Sequence, residues 1–149
     1  MAKKTFRCRV VTPTAKLLDD QATYASIPAW DGLFGVLPGR SPIVAKLGVG
    51  ALTVEFPDSA AGGGGRRTYF IDGGFVRMSS GELTILADRA APAEQLTVTD
   101  AETELKAAEN LKIPTDAKDR ARWANRIAHE RHAARTKLRI AQSAKGKAI

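Results

Sequence analysis

From Thr5 to Ala87 apolar side chains recur at every second position in short runs separated by turn residues, which is how half-buried antiparallel strands read. Phe6, Cys8 and Val10 form the first such face, with Arg7 and Arg9 directed to the other side. Leu52/Val54/Phe56, Tyr69/Ile71, Phe75 with Val76 and Met78, and Leu83/Ile85 follow, with shorter extended pieces near Leu17-Leu18, Tyr24–Ile27 and Leu33–Val36. Ser79-Ser80-Gly81-Glu82 predicts a hairpin connection, Asp19-Asp20 a turn, and Gly62-Gly63-Gly64-Gly65 a flexible hairpin loop. Seven to ten short strands over about 85 residues predict an antiparallel β-sandwich or flattened barrel. Phe6, Phe56, Tyr69, Phe70 and Phe75 are assigned to its core.

Pro92 ends this region and the period changes. Thr99-Asp100-Ala101-Glu102 has the capping-box spacing in front of Ala101, Leu105, Ala108 and Leu111, one face of a helix. Ile113-Pro114-Thr115-Asp116 interrupts it and offers Thr115 or Asp116 as the N-cap of a longer helix, with Ala124, Ile127, Ala128, Ala134, Leu138 and Ala141 along one side. The expected organisation is therefore a mostly β domain over residues 1–91 and a two-helix hairpin over residues 92–149. Alanine-rich stripes bury little area, so the hairpin is expected to be marginal alone and able to rearrange, with Ser143–Ile149 frayed.

Charge sharpens this division. Residues 118–149 carry ten basic side chains against Asp119 and Glu130, whereas the rest of the 149 residues holds 13 basic and 14 acidic. The net charge of +7 thus belongs to the last helix, and a basic terminal segment invites an acidic partner. No run approaches the ~18 apolar residues of a membrane span. Arg7 and Arg9 stand where a signal peptide would need its apolar centre, so a cytoplasmic protein is expected. A single cysteine, Cys8, excludes an internal disulfide and is read as a small core residue.

Catalytic and metal chemistry have little to build on. The two histidines, His129 and His132, are three apart, where a zinc-binding H-E-x-x-H helix needs four, and arginines flank them. No cofactor, metal or active site is expected.

The segment Gly32-Leu33-Phe34-Gly35-Val36-Leu37-Pro38-Gly39-Arg40-Ser41-Pro42 specifies a rigid corner, with Pro38 suited to the second position of a turn and Gly39 to the positive φ of the third. Gly35–Ser41 also approximates a phosphate-binding loop. The glycines are one residue too close, Arg40 replaces lysine, Pro38 removes a donor, and Pro42 stands where a helix should start. The corner resembles the G-x-x-G-x-x-P-G-H-x-P signature of the ε subunit of F-type ATP synthases, called δ in mitochondria. Gly32, Gly35, Pro38, Gly39 and Pro42 fall on the pattern, and Arg40 replaces the usual histidine. Phe70-Ile71-Asp72-Gly73-Gly74-Phe75 followed by Leu83-Thr84-Ile85-Leu86-Ala87-Asp88 is similar to the family's second landmark.

That resemblance implies a non-catalytic rotor-stalk subunit that couples proton translocation to ATP synthesis. It would sit at the cytoplasmic face of the inner membrane, peripheral to it through the complex. Its sandwich would bind the γ subunit and the c-ring, with Leu33, Phe34, Gly35, Pro38, Gly39 and Arg40 as contact candidates. The helices would inhibit hydrolysis by meeting acidic surfaces of the α/β head through Arg122, Arg126, Arg131, Arg135, Lys137 and Arg139. The ATP-binding L/I-D-x-x-R-A motif of some members is not carried over, because Thr97 and Asp100 replace its aspartate and arginine. The alternative is a small β-barrel with a basic helix that binds nucleic acid. Against it, aromatic residues are sparse, and Trp123 alone interleaves with the arginines.

Overall fold

Alternation of apolar and polar side chains produces eight strands: β1 (Phe6–Val11), β2 (Lys16–Ala22), β3 (Tyr24–Ala29), β4 (Gly32–Val36), β5 (Ile43–Lys46), β6 (Val49–Glu55), β7 (Arg66–Ser79) and β8 (Glu82–Pro92). Two helices follow, α1 (Val98–Glu109) and α2 (Arg120–Lys147). The computed structural model describes residues 4–57 and 65–147. Gly62–Gly64 of the glycine tract lie outside the described residues, and Gly65 closes a hairpin by accepting the Phe56 N–H at 2.9 Å. The chain divides into two compact units, Met1–Ala93 and Glu94–Ile149.

In the first unit the strands are ordered β2-β1-β8-β7-β6-β3-β4, with β5 also on β7. Two expected short runs merge into the 14-residue β7, and its centre is the pivot of the fold. Before Gly73 its neighbours are β6 and the end of β8; after Gly74 they are β5 and the start of β8. Gly73 and Gly74 take φ of +77° and +113°, which lets one strand turn the corner between the two layers of a sandwich. A single cluster fills the space between them, built from Phe6, Cys8, Val10, Ile27, Val36, Leu52, Val54, Tyr69, Ile71, Val76, Met78, Leu83 and Ile85. Each large member contributes roughly 1.5–3 kcal/mol by leaving water.

Several sequence expectations are corrected. Asp19 and Asp20 lie within β2 and form no turn, because Asp19 sits opposite Arg9 and binds the neighbouring Arg7. The sheet is not wholly antiparallel, since β1 runs parallel to β8. Phe75 is 57% exposed, and the reason is its pleat: Val76 and Met78 take the inward positions of that half of β7. The predicted hairpin at Ser79–Glu82 is present, with Ser80 and Gly81 at φ of +53° and +77°.

In the second unit the N-caps fall elsewhere than expected. Thr97 caps α1, its hydroxyl accepting the Asp100 N–H at 3.2 Å, two residues before the capping-box position. Asp119 caps α2 by accepting the Arg122 N–H at 3.1 Å, which leaves Thr115 and Asp116 in the connection. Ala101 and Ala108 are buried on α1, whereas Leu111 is exposed. On α2 the buried positions are Ile127, Ala133, Ala134, Thr136, Ile140 and Ala141, while Ala124 and Ala128 are exposed. The seam repeats by sevens along Ile127, Ala134 and Ala141, which keeps one side of a long helix against a partner helix. Helix α2 continues to Lys147, past Ser143, where fraying is expected.

Candidate functional site: an internally pinned corner and an exposed apolar row

The Gly32–Pro42 corner takes the turn its sequence specifies. Arg40 N–H donates to the Leu37 carbonyl at 3.2 Å, and Gly39 between them has φ of +84°. Gly35 is small for a packing reason, since a Cβ there would stand 2.9 Å from the Tyr24 hydroxyl. Strand alternation separates the candidate contacts: Phe34 and Val36 turn inward, with Phe34 packed on the core, and Leu33 is 69% exposed. The Arg40 guanidinium lies over the Phe34 ring, 6.0 Å from its centroid, a cation–π arrangement that holds the loop on its strand. Tyr24, Gly35, Leu37, Pro38, Gly39 and Arg40 line a shallow depression of about 300 Å³. After Pro42 the chain enters β5, not a helix, so the corner lacks the helix N-terminus on which a phosphate loop depends.

A second surface was not singled out in the sequence. On the outer side of the β5-β7-β8-β1 layer, Lys46, Phe75, Leu86 and Val11 stand in one cross-strand row, with Val44, Arg77, Thr84 and Arg9 in the next. Val44, Phe75 and Leu86 are 71%, 57% and 51% exposed, so neighbouring strands put three apolar side chains on one solvent face. Strand β5, bounded by Pro42 and only four residues long, is too short to show alternation, which is why Val44 escapes a sequence reading. Trp30 and Leu37 are likewise exposed, at the β3–β4 hairpin and the corner.

Next to that row the charges are largely paired. Arg7 forms a fork on Asp19, with Nε and Nη2 each 2.9 Å from a carboxylate oxygen, and Arg9 reaches Glu82 at 3.2 Å. The Arg7 hydrogen bonds, with its charge and that of Lys16, pull the Asp19 carboxyl down to about 2. Arg7 is raised by the same contact. Behind them Cys8 is fully buried, and desolvation pushes its thiol up to about 12, so it is a core residue and no nucleophile.

On α2 the six basic candidates are not equivalent. Arg122, Arg126, Arg135 and Arg139 are exposed, and Arg126 stacks 5.6 Å from the Trp123 ring centroid. Lys137 pairs with Glu104 of α1 at 2.9 Å. Arg131 donates to the carbonyls of Ala108, Glu109 and Leu111 at 3.1, 3.1 and 3.3 Å, so two of the six are used within the helix pair.

A two-layer sandwich with a glycine corner, carrying a separate helix pair, defines the class. Residues 5–93 match the family described as the ATP synthase delta/epsilon chain, β-sandwich domain. The chain belongs to that family. It is 34% identical over 117 residues to the ATP synthase epsilon chain of Rhodopirellula baltica, covering 78% of this chain and 85% of that one. It is 33% identical over 109 residues to the sodium-ion-specific epsilon chain of Propionigenium modestum, covering 73% and 75%. A chain in the Euglena gracilis mitochondrial ATP synthase (OSCP, F1 and c-ring) shares the fold with a TM-score of 0.64 at 20% identity, covering all of this chain and 84% of that one.

Proposed function

We propose that this chain is the central-stalk ε subunit of an F-type ATP synthase, a part of the rotor that couples ion translocation to ATP synthesis and carries out no chemistry itself. Family membership supplies the class. The observation that carries the mechanism is the exposed apolar face of Val44, Phe75 and Leu86 on the β5-β7-β8 layer. Apolar side chains that remain in water on a rigid sheet gain free energy when a partner covers them, at about 25 cal/mol per Å². The partner on this face is the γ subunit, and the Gly32–Pro42 corner, through Leu33, Pro38, Gly39 and Arg40, meets the c-ring. Neither surface needs to deform, because Gly74 and Gly35 hold close packing and Arg40 holds its loop on Phe34; a rigid coupler transmits torque without absorbing it.

Residues 1–91 in this reading are the coupling domain and residues 92–149 the regulatory one. The exposed Arg122, Arg126, Arg135 and Arg139 of α2 meet acidic surfaces of the α/β head and restrain ATP hydrolysis. The protein is then peripheral to the membrane, on its cytoplasmic face, through the complex alone. ATP-driven ion pumping by reconstituted complex is the test: omission of the chain should leave hydrolysis but abolish pumping. Full pumping without the chain would refute the coupling role.

A further inference from the structure

Helix α1 ends without a left-handed cap, and its last local backbone bonds run from Asn110 N–H to the Lys106 carbonyl at 3.1 Å and from Leu111 N–H to the Ala108 carbonyl at 3.3 Å. Its C-cap, Asn110, stays in the right-handed region at φ of −88°, so the left-handed turn that closes many helices is absent and the Glu109 carbonyl lies beyond the reach of these local bonds. The Ala108 carbonyl, and those of Glu109 and Leu111, also accept from the guanidinium of Arg131, a residue twenty or more positions away on the other helix. Six residues further along α2, a rise of about 9 Å at 1.5 Å each, Lys137 pairs with Glu104, and these two contacts set the helices antiparallel. Between and around them the buried side chains among the described residues are mostly small, Ala101 and Ala108 on α1 with Ala133, Ala134 and Ala141 on α2, joined by Ile127 and Ile140, while Leu105 and Leu138 are half-buried.

We propose that Arg131 is the latch of the helix pair, a C-cap supplied in trans, so that separation of α2 from α1 and fraying of the last turn of α1 are one event. With mostly alanine among the buried seam residues, the three hydrogen bonds from a charged donor carry a large share of the pairing. Their acceptors are neutral carbonyls, and the fork geometry is one that lysine does not reproduce. The latch therefore resists salt, unlike the exposed Lys137–Glu104 pair, whose attraction is screened. Arg131 consequently becomes available to an acidic partner only after the pair opens. This inference goes beyond the rotor reading and concerns the isolated chain.

Amide hydrogen exchange on the full-length protein tests it. In Arg131→Gln, exchange should rise at least tenfold both in residues 106–111 and in the seam peptides around Ala101 and Ala134, with Arg131→Lys intermediate and the sandwich peptides unchanged as an internal reference. Lys137→Gln should raise seam exchange less, and high salt should have little effect on the unmodified chain beyond that of Lys137→Gln. Unchanged exchange in both Arg131 variants overturns the proposal, as does a rise confined to residues 109–111 with the seam still protected.

Discussion

Gly74 lies so close to the neighbouring strand that a Cβ at this position would stand 2.0 Å from the Leu86 carbonyl oxygen. Backbone is the obstacle, and backbone in the middle of a two-sided ladder cannot move aside. Gly39 shares the positive φ but has nothing within 4 Å of an added Cβ. Gly74→Ala is therefore expected to cost more than about 3 kcal/mol or to prevent folding, and Gly39→Ala roughly 1–2 kcal/mol, the price of a left-handed residue alone. Chemical denaturation of the two variants checks the order; equal losses would contradict it.

The Arg7–Asp19 fork ties the edge strand β2 to β1, and its pH dependence has a definite sign. The Asp19 carboxyl is depressed in the folded state to about 2, below an ordinary value of about 3.9. Its stabilisation is therefore fully present above the unfolded value and is lost as pH falls through the folded one. Thermal melts should show Asp19→Asn less stable than the unmodified chain at pH 5, with the difference shrinking as pH falls from about 4 and vanishing only once pH is below the folded value of about 2. A constant difference across that range would assign the loss to packing.

Phe75 and Leu86 are directly paired across β7 and β8 and both lie in solvent, so charging them should leave the sandwich intact. Phe75→Glu with Leu86→Glu is expected to keep the melting temperature within a few degrees while weakening γ binding more than tenfold, read by titration with purified γ. Loss of folding would place these side chains in the core, against their exposure.

Arg135 and Arg139 are exposed, whereas the Arg131 guanidinium is engaged by three carbonyls of α1 and its C-terminal turn. Arg135→Ala with Arg139→Ala should keep helicity, since alanine is the better helix former. It should raise ATP hydrolysis by the reconstituted complex, and inhibition by the unmodified chain should fade with added salt. Equal hydrolysis in both versions at every salt concentration would leave this face merely solvated.

How much of this was legible in the sequence depends on how local the cause was. The alternation Phe6, Cys8, Val10 and the corner at Pro38-Gly39 are decided by neighbours in the chain, and both were readable. Phe75 was misplaced because Gly73-Gly74 bends β7 between layers, and which side of the pleat faces inward after the bend is set by β5 and β8. Asp19 looked like a turn because its partner, Arg7, lies on another strand. Arg131 looked like a free surface charge for the same reason: its three acceptors are backbone carbonyls of α1, and no pattern of side chains announces them. The apolar face of Val44, Phe75 and Leu86 is assembled from three strands and exists only in the folded sheet.

Purification of a tagged full-length chain from its host membrane tests the central claim most directly. The rotor reading predicts that γ, α, β and the c-ring come down together in a salt-resistant complex, and that Phe75→Glu with Leu86→Glu loses them all while remaining folded. Recovery of nucleic acid with no ATP synthase subunits would contradict it.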